Sequence, residues 1–95
     1  MITHVVCFKL KERTPDNTQK VKDALMSLEG KVPTLQRIEV GIDVLRSERS
    51  YDVILISNFA SMADLDAYQV HPYHQEVAAF IRSVSEGSIS VDYES

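Results

Sequence analysis

Ninety-five residues, ten Lys and Arg against fourteen Asp and Glu, give a formal charge of −4, and with 44% hydrophobic and 25% charged residues and only three glycines and three prolines the chain reads as one packed domain, 1–95, not as a disordered or low-complexity segment. No Lys/Arg run appears, which argues against a nucleic-acid partner, and no apolar run nears the ~20 residues of a membrane helix. No signal peptide precedes the first strand pattern, so the expectation is a cytoplasmic protein with no membrane partner.

The opening stretch Ile2–Leu10, ITHVVCFKL, carries apolar residues at both even and odd positions through its middle, as a central strand covered on both sides does. It holds the only cysteine, Cys7, which excludes an internal disulfide and a cysteine-based zinc site and reads as a buried structural thiol. Thr14 and Pro15 open a helix as N-cap and first helical residue, with Asp16 in the first turn where the helix dipole favours negative charge. Val21, Ala24, Leu25 and Leu28 form its apolar stripe, and Gly30 is its expected C-cap. A second strand over Leu35–Leu45 alternates Ile38, Val40, Ile42 and Val44 with polar positions, as an edge strand does. Arg46–Ser50 reads as a hairpin-type turn, and Tyr51–Phe59 as a third strand, central because Val53–Ile56 has no polar gap. Ser61 caps the next helix with Asp64 three residues on, and Met62, Leu65 and Tyr68 are expected on its inner face. The helix ends near Val70, because His71 precedes Pro72 and is pushed out of the helical region, while Pro72 suits the first turn of a new helix. Val77, Phe80, Ile81 and Val84 form the stripe of that helix, with Gly87 at its end, and Ser88–Tyr93 is a short, edge-like last strand.

Strand, helix, strand, strand, helix, strand, with the first and third strands central, matches an antiparallel sheet of order 4-1-3-2: the ferredoxin-like βαββαβ arrangement of the α+β class, with the helices on one face. The other face would then expose Val5, Cys7 and two apolar residues of the third strand. Exposed apolar patches of that kind mark interaction surfaces, so a homodimer joined through the open sheet face is expected.

Two of the three histidines and two of the four tyrosines fall within Ala67–Phe80, AYQVHPYHQEVAAF. The His-Pro-x-His box after a tyrosine, the opening ITHVVCFKLKE and the βαββαβ order over the whole chain resemble the stress-responsive A/B barrel (Dabb) family. The resemblance implies a dimeric α/β barrel. Most members have no assigned reaction; one plant member closes a linear polyketide by an intramolecular aldol condensation without a cofactor. Its catalytic tyrosine and histidine correspond to Tyr68 and His74, and a pocket histidine of its first strand to His4.

The residues allow the same chemistry. His74 in a helical first turn is held neutral by the helix dipole and by burial, as a general base must be. It shares a face with Val77 and Ile81, so it should point inward. Tyr68 lies on the inner face of the preceding helix, and His4 on an apolar face of the first strand. If these converge, a base, a phenol donor and a second imidazole surround a cleft able to enolise a small apolar carbonyl ligand and hold its oxyanion. His71 reads as the cap of the second helix. A metal set of His4, His71 and His74 is disfavoured because His71 lies outside the helix, and no cofactor is expected. Three readings follow: a polyketide-cyclase-like acid/base catalyst, a dimer that binds or senses a ligand or acts in a stress response without catalysis, and an interaction module whose histidines are core residues. A cleft filled by Phe80, Ile81 and Met62 would favour the last.

Overall fold

These signals resolve, in a computed structural model that describes all of Met1–Ser95, into β1 (Ile2–Leu10), α1 (Pro15–Met26), β2 (Arg37–Ile42), β3 (Val53–Phe59), α2 (Met62–Val70), α3 (Pro72–Val84) and β4 (Ser85–Glu94). The sheet is antiparallel with the order β2-β3-β1-β4, the ferredoxin-like arrangement expected. The two strands that are apolar on both faces, β1 and β3, are the central ones. Helix α1 starts as its sequence dictates: Thr14 is extended and its hydroxyl accepts from the Asn17 N–H.

The core lies between the helices and one face of the sheet. Val21, Leu25 and Leu28 of the α1 stripe, Leu65 and Tyr68 of α2 and Ile81 of α3 are buried against Val53, Leu55 and Phe59 of β3 and Ile38 and Val40 of β2. Each such side chain contributes on the order of 1.5–3 kcal/mol by leaving water. An ion pair with a buried carboxylate closes one end of the sheet. Asp52, 1% exposed, accepts from the Leu10 N–H at 2.7 Å and pairs with Arg13 Nε. The Arg13 guanidinium also donates to the carbonyls of Ser47 and Ser50, tying the β2–β3 loop to the β1–α1 connection.

Several local expectations are corrected. α1 ends at Met26 with Ser27 as its cap; Gly30 serves the turn beyond, at φ +79°, where a side chain would be strained. β2 stops at Ile42, its last residue paired with β3, so Val44 and Leu45 fall in an exposed loop that turns through Arg46 at φ 57°, its N–H bonded to the Asp43 carboxylate at 2.6 Å. Met62 is exposed and only Leu65 and Tyr68 face inward. Gly87 lies inside β4, opposite Lys9, because the chain passes from α3 into the strand with no intervening loop.

The orientation of β4 matters most. Ile89 pairs with Cys7, Val91 with Val5 and Tyr93 with Thr3. Antiparallel partners share a face, so the apolar side of β4 joins Val5, Cys7, Ile54 and Ile56 on the open face. Ile89, Val91 and Tyr93 are each about half exposed or more. Cys7 is half-buried, not buried, because its face has no cover within one chain. The helix-facing side of β4 carries instead Ser88, Ser90 and Asp92, opposite Phe8, Val6 and His4.

Candidate active site

The break between α2 and α3 shapes the site. His71 takes an extended conformation at φ −62°, ψ 134°, and its Nδ1 accepts from the Tyr73 N–H at 3.1 Å, so it caps α3 as expected. The last carbonyls of a helix lack partners within it. Across the break, the His74 Nδ1–H donates to one of these, the Gln69 carbonyl, at 3.1 Å. A carbonyl only accepts, so this bond places the proton on Nδ1 and leaves the Nε2 lone pair free. Burial holds the His74 imidazolium below its ordinary range, and the charges of His4, His71 and Arg82 add to that, while the Gln69 carbonyl works in the opposite direction. At neutral pH the ring is therefore a neutral acceptor.

Tyr68 is fully buried, in the last turn of α2. Its ring packs on His74 at 4.3 Å between centroids and on Phe59 at 4.8 Å. Burial pushes its phenol upward from the ordinary value, so the O–H stays protonated, and the hydroxyl has no hydrogen-bond partner in the fold. His4 reaches the same cluster from β1, with its ring 6.3 Å from that of Tyr68. Its Nδ1 bonds to the Asp92 carboxylate across the β1–β4 pair, which directs its Nε2 away from Asp92.

The three residues singled out in the sequence, His4, Tyr68 and His74, thus meet in one place. They line a cavity of about 330 Å³ between sheet and helices, within the range of small-molecule sites. Its walls include Leu25, Leu28, Leu55, Val77 and Ile81, and its polar lining adds Gln69, Arg82, Ser85, Ser88 and Ser90. The space is not filled as an interaction module would require. Phe80 and Met62 are exposed, and Ile81 forms a wall. His71, turned to its capping role, does not line the cavity, and no group of three His, Cys, Asp or Glu side chains is placed to hold a metal ion.

Sequence reasoning missed Asp92, Gln69 and Arg82. Asp92 needed the β1–β4 register, Gln69 contributes only a backbone carbonyl, and Arg82 reads as an ordinary surface charge near a helix end.

The profile of the stress responsive A/B barrel domain matches residues 2–95. The chain belongs to the Dabb family. Among solved structures, this Dabb protein is similar to a dimeric ferredoxin-like protein of unknown function from Thermobifida fusca, 26% identical over 99% of this chain and 90% of that one, with a TM-score of 0.86. A dimeric protein of unknown function and ferredoxin-like fold from Bacteroides fragilis is 27% identical over 99% of this chain and 95% of that one, at a TM-score of 0.83. A hydroxynitrile lyase from Passiflora edulis shares the fold at 18% identity, covering 97% of this chain and 90% of that one, at a TM-score of 0.83. No curated protein matches the chain.

Proposed function

We propose that this Dabb protein is a homodimer closed through its open sheet face, and that each cleft performs acid/base chemistry on a carbonyl compound using side chains alone. The observation that carries the catalytic reading is the Gln69–His74 hydrogen bond, which leaves a neutral imidazole with a free Nε2 beside an unpartnered phenol. In the step this supports, Nε2 takes a proton from the carbon next to the carbonyl. The C–H electron pair becomes the enolate C=C bond, and the carbonyl π pair moves to oxygen. The Tyr68 O–H donates to that oxyanion, and the imidazolium later returns the proton to carbon or to the product. Donors aimed at developing charge in a site shielded from water contribute more than they would in solution. His4, oriented by Asp92, supplies a second ring nitrogen near Tyr68.

The dimer reading rests on the apolar stripe of Val5, Cys7, Ile54, Ile56, Ile89 and Val91 and on the dimeric state of the Thermobifida and Bacteroides proteins. That a hydroxynitrile lyase uses the same fold is consistent with a catalytic cleft.

Exchange of the α-protons of small ketones and β-keto compounds for deuterium, followed by proton NMR, tests the chemistry. Exchange above the buffer rate is expected for the native protein and is expected to fall by about 10²- to 10⁴-fold in His74→Ala, the usual contribution of a general base. Ligands that shift the His74 resonance without any exchange would replace catalysis by plain binding.

A further inference from the structure

The cleft has two ends of different chemistry. His4, Tyr68 and His74 form one. Beyond them along α3, Val77, Ala78 and Ile81 present an apolar wall, faced by Val6 and Phe8 of β1. Where α3 runs into β4, Arg82 and Ser85 reach the same cavity. Eight residues separate His74 from Arg82, about 12 Å along a helix axis. A helical side chain leans toward the N-terminus, so Arg82 reaches back along the cleft, and its charge acts on the His74 ring.

Two features of this second end are unexplained by packing. Arg82 takes part in none of the ion pairs of the fold. The Ser85 hydroxyl is buried with no hydrogen-bond partner, at a cost that natural folds rarely leave uncompensated. Ser88, two residues before Ser90 on the helix-facing side of β4, adds another hydroxyl to the same wall. A guanidinium and hydroxyls lining the same cavity suit a planar anion. One cation matches one negative charge. With Glu86 and Asp92 on the same strand and the chain at −4, a phosphate dianion would be left half compensated, whereas a carboxylate would not.

We propose that the ligand of this cleft is a keto acid whose carbonyl and carboxylate are separated by an apolar chain: the carbonyl sits at Tyr68 and His74, the chain lies along Val77 and Ile81, and the carboxylate is held by Arg82 and the Ser85 hydroxyl. The proposal rests on the reading of the first end as a carbonyl site.

The test uses 8-oxononanoate and its methyl ester, which differ only in the anion, with affinity read by calorimetry and the His74 resonance followed by NMR. Arg82 is exposed, so Arg82→Gln leaves the core intact, to be checked by circular dichroism. The native protein should bind the acid about tenfold more tightly than the ester, as a charge-assisted hydrogen bond allows. Arg82→Gln should abolish that preference, the acid losing more affinity than the ester. If acid and ester bind equally to the native protein, or if Arg82→Gln keeps the preference, while the His74 resonance still moves, the anion end is wrong and the carbonyl end stands. If neither compound binds or moves His74, both ends fall.

Discussion

Replacing Tyr68 by Phe separates stability from function at a single oxygen atom. The Tyr68 ring is buried and packed between Phe59 and His74, and Phe preserves that packing. The hydroxyl has no partner in the fold, and a buried, unsatisfied hydroxyl costs roughly 1–3 kcal/mol. Tyr68 lines a cavity and not a close-packed interior, so the lower end applies. Tyr68→Phe is expected to stabilise the protein by about 1 kcal/mol, a rise in Tm of roughly 4–8 °C for a domain of this size. The α-proton exchange should fall at the same time, by about 10²-fold or more, because the oxyanion loses its donor. Urea denaturation and thermal melts at one fixed protein concentration measure the first effect, the concentration being held because dimerisation shifts apparent stability. The exchange assay measures the second. A loss of stability above about 1 kcal/mol would refute the reasoning, since it would mean that the hydroxyl holds the fold together and is not kept for a ligand.

Two further outcomes are expected. The folded-state pKa of His74 is lowered, so between that value and the ordinary 6.5 the unfolded chain binds more protons than the folded one, and stability must fall as pH drops through the window; in His74→Gln the dependence of urea midpoint on pH below 6.5 should flatten, and an unchanged slope would mean that the ring is solvated. Val91→Asp puts a charge in the middle of the open face, opposite Val5, where an interface would bury it without a partner at a cost of several kcal/mol; analytical ultracentrifugation should find the native protein dimeric and the variant monomeric, and a native monomer at micromolar concentration would remove the sheet-face dimer.

The candidate site was legible to the extent that its residues announce themselves through local chemistry. The His71–Pro72 break follows from the backbone restriction that proline places on its neighbour, and the break alone locates His74 in a helical first turn. Its neutral state follows from burial at that position. The partner that sets its tautomer does not, because a backbone carbonyl is present at every residue and only the angle between α2 and α3 selects Gln69. Asp92 is a similar case. Nothing near it in sequence marks it, and it becomes the partner of His4 only through strand pairing across 88 positions. Met62 shows the opposite failure. Its spacing to Leu65 places it on the inner face, but Met62 is the first residue of α2 and stands half exposed.

By itself the sequence determined the elements, their order and the assignment of β1 and β3 to the middle of the sheet, because an unbroken apolar run marks an inner strand whereas the edge strands alternate. It also determined which residue types the cleft could use, since His4, Tyr68 and His74 are the ionisable groups whose positions fall on inward faces. Tertiary structure alone decided how those groups are held and what surrounds them: the register that sets Asp92 on His4, the crossing of α2 and α3 that sets Nδ1 of His74 on the Gln69 carbonyl, and the direction of β4. That last choice was open because the side chains of β4 alternate, and a strand of period two can present either face to the helices. Pairing with β1 directs Ser88 and Ser90 into the cleft, sets Asp92 on His4, and turns Ile89, Val91 and Tyr93 away, so one register gives the cavity its polar wall and leaves the open face apolar.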